Sequence, residues 1–237
     1  MEPSVTGDSR AGLAARWAAI QERIAAAEQR AGRPAGAVQL VAVSKTHPVE
    51  TLHRAYELGL RVFGENRVQE ALGKMDAMGP GPEWHLIGHL QRNKVNAVVG
   101  RFALIHSVDS ARLIEALDAR ARQLDLVQRV LLEINLGGEA SKAGAAEQEM
   151  EALLGALAQA THLRGEGLML IPPYLEAESV RPYFRHLREL LMAIGERPNF
   201  IPRELSMGMS HDFEVAIEEG ATLVRVGSAL FGERDYA

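Results

Sequence analysis

Lys45 follows directly on the apolar run VQLVAVS, residues 38 to 44, and Arg225 stands inside TLVRVGS, residues 222 to 228. A cation at the end of a buried strand can be read in two ways. A lysine there can snorkel, its stem covering the strand end while its head stays in water. In a crowded, partly dry mouth it instead loses hydration, its pKa falls, and the neutral amine can attack a carbonyl to form a Schiff base. Arg225 is open in the same way: it can pair with a core carboxylate such as Glu133, or face a ligand beside Gly227, where no side chain takes up the room.

Alternation orders these residues, because residues two apart on a strand share a face. Val41, Val43 and Lys45 have one parity, Val62, Gly64 and Asn66 share theirs, and Arg225 matches Gly227. If the valines fill an interior, Lys45 and Asn66 point into its mouth. Gly227 and Ser228 then stand at a strand-to-helix turn, where backbone N–H groups and a hydroxyl make a phosphate cradle. LSMGMSHDFEV, residues 205 to 215, adds Ser206, Gly208 and Ser210 before another helix, and Ser210 also reads as that helix's cap.

Other patterns fail on their chemistry. GGEASKAG, residues 137 to 144, has a serine where a phosphate-binding loop needs the glycine before its lysine, which argues against nucleoside triphosphates. His85 and His89, four apart on a strand and turn, do not meet at one metal, and no metal site is read. The methionines of GLMLIP and LSMGMS read as core filling.

The elements that must position these residues alternate along the chain. Eight runs of strand length occur, at 38 to 44, 61 to 66, 84 to 88, 103 to 109, 129 to 135, 165 to 172, 204 to 210 and 222 to 228, with amphipathic segments between them. Parallel neighbours need a crossover and a helix supplies it, so the fold class is α/β and the architecture a (β/α)8 barrel of TIM type. An open doubly wound sheet is the runner-up, but SKTHPVE lacks the glycine-rich first turn of that fold. An extra helix at 11 to 32 precedes the alternation, residues 1 to 10 form a polar tail, and 11 to 237 read as a single domain. In a barrel, reactive groups gather at the carboxyl ends of the strands, where Lys45, Asn66 and Gly227 fall.

The 237 residues are 47% hydrophobic, enough for a sizeable core, and carry a net charge of −5 without a dense basic stripe, which argues against nucleic acid. Arg181, Arg185 and Arg188 read as a solvated helix face. The absence of cysteine excludes disulfides, thiolate catalysis and cysteine-held metals. The first ten residues do not form a secretory signal and no run reaches membrane-spanning length, so a cytoplasmic protein without membrane contact is expected.

The motifs AVSKTHP, FGENRVQE, WHLIGHLQRNK, SKAG, GLMLIPP and LSMGMSHDFEVAIEEGATLVRVGSALFGERDY, in this order, resemble the pyridoxal phosphate homeostasis proteins, which are similar to the barrel domain of alanine racemase. The resemblance runs from about Val38 to Tyr236. It implies an alanine-racemase-like barrel that binds pyridoxal 5'-phosphate (PLP), with Lys45 as its Schiff-base lysine, Asn66 lining the cofactor ring and Arg225 facing the pyridine nitrogen. Ser206, Met207, Ser210, Gly227 and Ser228 are the implied phosphate contacts. Arg67 follows Asn66 where many relatives have tyrosine, so no stacking role is carried over to that position.

The function implied is intracellular PLP homeostasis: the chain holds the cofactor and supplies it to apo-enzymes, as a monomer and without substantial catalysis of its own. An arginine opposite the pyridine nitrogen cannot accept a proton, which weakens the ring as an electron sink. The alternatives are a single-domain PLP-dependent racemase using His85 or His211 as second base, and a phosphate-binding barrel enzyme whose lysine condenses with its substrate.

Overall fold

The alternating runs resolve, in a computed structural model that describes residues 10–137 and 143–232, into parallel strands closed on themselves. The strands are β1 (Gln39–Val43), β2 (Val62–Glu65), β3 (Glu83–Leu86), β4 (Leu104–Val108), β5 (Gln128–Glu133), β6 (Leu163–Met169), β7 (Phe200–Ser206) and β8 (Leu223–Val226). Each pairs with its successor, and β8 closes on β1 with Gln39 opposite Leu223 and Val41 opposite Arg225. Helix α1 (Arg10–Arg30) precedes the barrel. The crossovers carry α2 (Val49–Glu57), α3 (Val68–Met78), α4 (Val95–Val98), α5 (Ala111–Gln123), α6 (Met150–Gln159), α7 (Ala177–Ile194) and α8 (Phe213–Glu218), and α9 (Ser228–Phe231) follows β8. This is the expected (β/α)8 barrel with its additional N-terminal helix.

Strand parity divides the core in two. Val41, Val43, Val62, Ile87, Leu104, Leu131, Met169 and Leu223 form a cluster inside the barrel. Leu40, Ala42, Phe63, Leu86, Ile105, Leu132, Leu205 and Val224 face the other way and pack beneath the helices. Burial of one such side chain contributes roughly 1.5–3 kcal/mol. A one-residue slip would exchange the two sets, so the pattern fixes the register.

The structure moves the seventh strand. The expected strand at 204 to 210 is observed at Phe200–Ser206, and the sixth ends at Met169 rather than 172. Gly208, at φ 92°, turns the chain out of the sheet just after Met207. A Cβ on Gly167 would lie 1.9 Å from the Glu204 carbonyl oxygen, so the sixth strand needs a bare backbone where the seventh approaches it.

Helix α1 packs against α8 and α9. Arg23 is bidentate to Glu214, and Arg16 donates to the carbonyl of Leu230 at 2.7 Å. The arginines of α7 do not form a merely solvated face. Arg181, Arg185 and Arg188 lie 3.2, 2.9 and 3.2 Å from the carboxylate of Glu219, itself buried, and so clamp α7 to the corner after α8. Among the described residues no helix is long and apolar enough to cross a membrane. Residue 10 of the expected tail is the first of α1, and residues 1–9 and the centre of GGEASKAG lie outside the described residues.

Candidate functional site

Lys45 stands two residues beyond β1, in a loop held by a second lysine. Lys74, buried on α3, donates to the Ser44 carbonyl, to Glu65 at the end of β2 and to Glu70, each at 2.7 Å. Ser44 Oγ donates to the same Glu65 oxygen at 2.6 Å. The β1 end that carries Lys45 and the β2 end that carries Asn66 are thereby tied to one ammonium. Burial pushes the Glu65 carboxyl up, and the hydrogen bonds from Lys74 and Ser44 oppose it. Thr46 takes φ 68°, an unusual conformation for a β-branched residue, and its N–H is held by Glu70. None of this bracing is visible in the spacing that singles out Lys45.

Lys45, Asn66, Ser210, Arg225, Gly227 and Ser228 line one cavity of about 300 Å³ at the carboxyl ends of the strands. Val43, Ile87 and Ile171 give it apolar walls, and Tyr174, Met209 and His211 complete the lining. Sequence reasoning missed Ile87, Ile171, Tyr174 and Met209, which carry no chemistry that would mark them. The rings of Tyr174 and His211 lie 5.0 Å apart, and Tyr174 is 85% exposed at the rim. His211 Nε2 is buried 3.2 Å from Asp212 Oδ2, without a hydrogen bond.

The backbone N–H groups of Gly227 and Ala229 both point at Ser210 Oγ, at 3.3 Å. A Cβ on Gly227 would stand 3.3 Å from Val43, so only a bare backbone leaves this turn uncrowded. Gly88 has the corresponding role at Asn66: a Cβ there would lie 2.4 Å from the Asn66 carbonyl oxygen. Asn66 Oδ1 is buried without a partner among the described residues.

Two expected phosphate contacts do not reach the cavity with their side chains. Met207 is fully buried in the core outside the barrel. Ser206, the last residue of β7, points into the barrel beneath Arg225 and accepts from its Nη1 at 2.6 Å. Arg225 also donates to the Leu170 carbonyl at 2.9 Å. Glu133 acts on Arg225 through its charge but makes no ion pair with it among the described residues. Burial lowers the guanidinium to about 10, against the pull of Glu133 and Asp212. Burial, reinforced by Asp109, pushes the Glu133 carboxyl up to about 7, and its Oε2 has no partner among the described residues.

Below Arg225 a row of inward side chains crosses the barrel. His106 Nδ1 is 2.8 Å from Ser206 Oγ, His106 Nε2 is 3.0 Å from His85 Nδ1, and His85 Nε2 is 3.0 Å from Glu83 Oε1. With both imidazoles neutral, ionised Glu83 sets the direction of the row, since a carboxylate only accepts and a neutral imidazole donates through one nitrogen and accepts through the other. Arg225 donates to Ser206, Ser206 to His106, His106 to His85, and His85 to Glu83. Burial holds His106 well below the usual histidine range, and the His85 hydrogen bond holds Glu83 below the usual carboxylate range. His85 is therefore engaged on both ring nitrogens and does not line the cavity, which removes it as the second base of a racemase.

Residues 16–235 match the family model described as alanine racemase, N-terminal domain. The chain is 48% identical over 223 residues to the pyridoxal phosphate homeostasis protein of Aquifex aeolicus, covering 93% of this chain and 98% of that one. It is 40% identical over 232 residues to the protein of the same name from Escherichia coli K12, covering 95% and 98%. PipY of Synechococcus elongatus, solved with PLP bound, has a TM-score of 0.79 at 39% identity and covers 93% of this chain and all of its own, 100%. Alanine racemase from Corynebacterium glutamicum shares the fold, with a TM-score of 0.65 at 23% identity over 93% of this chain and 62% of that enzyme. The chain belongs to the alanine racemase N-terminal-domain family, and within it to the pyridoxal phosphate homeostasis proteins.

Proposed function

We propose that the chain binds PLP in the 300 Å³ cavity and holds it for delivery to apo-enzymes, with little catalysis of its own. The observation that carries this reading is the convergence on one cavity of an amine, Lys45, a donor-only guanidinium, Arg225, and a turn that presents two N–H groups and two serine hydroxyls. These match the three polar ends of the cofactor: aldehyde, pyridine nitrogen and phosphate. Val43 and Ile87 supply apolar walls for its ring, and the unpartnered Asn66 Oδ1 is a free acceptor beside it.

Bound here, the cofactor supplies a reactive aldehyde and a ring whose power to withdraw electrons depends on its nitrogen carrying a proton. Arg225 works against that proton, because a guanidinium can only donate to the nitrogen. Lys45 supplies the amine that holds the aldehyde carbon. Ser210, Ser228 and the N–H groups of Gly227 and Ala229 hold the phosphate, and Ser206 acts through Arg225 rather than on the cofactor. Of the two second bases weighed for a racemase, His211 alone lines the cavity, and the donor-only character of Arg225 works against that reading.

The test is covalent trapping. Borohydride treatment of the PLP-loaded protein, followed by peptide mapping, is expected to place the label on Lys45, and Lys45→Ala is expected to lose both label and yellow colour. A label on another lysine would overturn the assignment.

A further inference from the structure

Beside this cavity, and sharing only Asn66 with it, a second cavity of about 390 Å³ opens between the loops after β2 and β3. Except for Val68 its lining is polar. Arg67 and Lys94 bring a guanidinium and an ammonium to it, and neither makes a hydrogen bond or ion pair among the described residues. Arg67 acts on Glu70 through its charge alone. Several other arginines are paired closely, as in Arg129 with Glu166 at 2.8 Å and Arg101 with Asp76 at 2.6 Å.

The same lining holds acceptors. Glu70 presents a carboxylate braced by Lys74 and the Thr46 N–H, and Asn66, at the shared edge, has a buried Oδ1 without a partner among the described residues. A simple anion would satisfy the cations and leave the acceptors bare, whereas an amine would do the reverse. An apolar ligand would strip water from polar walls and return nothing. A ligand with both charges on adjacent atoms suits the whole lining.

We propose that this cavity is a second small-molecule site and that its ligand is a free α-amino acid, with the carboxylate on Arg67 and Lys94 and the ammonium on Asn66 Oδ1 and Glu70. The site goes beyond the cofactor reading, since neither Arg67 nor Lys94 belongs to the cofactor cavity. It gives the protein a means of registering amino acids at the edge of the site that holds PLP.

The test is calorimetric titration of the full-length, cofactor-free protein with L-alanine, acetate, ethylamine and inorganic phosphate. L-alanine is expected to bind saturably and at least tenfold more tightly than the other three. The double variant Arg67→Ala/Lys94→Ala is expected to lose at least tenfold in affinity for L-alanine with its melting temperature unchanged. Arg203→Ala, which removes an exposed arginine on β7 outside the cavity, is expected to bind as the parent does. Should the double variant melt lower, Arg67→Gln and Lys94→Gln, tested singly, carry the same expectation of weaker binding. Absence of saturable L-alanine binding, equal or tighter binding of acetate or phosphate, or affinity unchanged by removal of the two cations would overturn the proposal. No cofactor enters this titration, so its failure is distinct from a failure at Lys45.

Discussion

Arg225 Nη1 donates to Ser206 Oγ at 2.6 Å, deep in the barrel, and this bond joins the cofactor cavity to the row that ends at Glu83. A buried guanidinium needs every acceptor it has. Ser206→Ala removes one of the two that Arg225 uses, and also the donor to His106. The expected loss of stability is about 1–3 kcal/mol, read from the denaturant midpoint. If the row also sets the direction of Arg225, Ser206→Thr, which keeps the hydroxyl, should restore the absorbance spectrum of bound PLP that Ser206→Ala shifts. Identical spectra for all three proteins would leave the row structural only.

Lys74→Met tests the bracing of the Lys45 loop. The substitution keeps most of the stem and removes the only cation paired with buried Glu65 among the described residues. Breaking a buried pair on one side leaves an uncompensated carboxylate, so a loss of roughly 2–4 kcal/mol is expected. PLP binding should weaken as well, because the Ser44 carbonyl and Glu70 lose the group that holds them beside Lys45. Stability equal to the parent would show that Glu65 is protonated and needs no partner.

Glu133 gives a pH signature. Its folded pKa, about 7, lies above the ordinary glutamate value of 4.5, so between the two the folded chain binds a proton that the unfolded chain releases. This group therefore contributes least below about pH 4.5, and it costs stability progressively as pH rises from there to 7. The full cost at alkaline pH is about 3 kcal/mol. Glu133→Gln cannot ionise, so relative to the parent it should gain stability through that window and hold the gain above it. Melting temperatures of the two proteins at pH 5 and pH 8 check this, and an equal difference at both would mean that Glu133 titrates normally.

The parity of β1, β2 and β8 was legible in the chain because β-branched runs alternate with helical ones, and parity alone sends Lys45, Asn66 and Arg225 to one mouth. The seventh strand was not, because Pro202 is a poor strand residue that hides its start, while Met207 and Met209 look strand-like beyond Ser206, where the strand ends. His85 and His106 were each unremarkable, lying 21 residues apart, with His106 100 residues before Ser206. Only the stagger of neighbouring strands makes them touch. Glu219 escaped notice for a similar reason: its arginines stand 31 to 38 residues earlier, on another helix.

Glu83 is 39% exposed by side chain at the foot of the barrel, the end opposite the cavity. Because each link in the row can point only one way while both termini keep their charge, the two imidazole tautomers are chosen by the protein's architecture and not by the solution. Neutralising the far carboxylate would free the three links between it and Ser206 to reverse. A substitution that never touches the ligand would thus be felt at Arg225, four hydrogen bonds away.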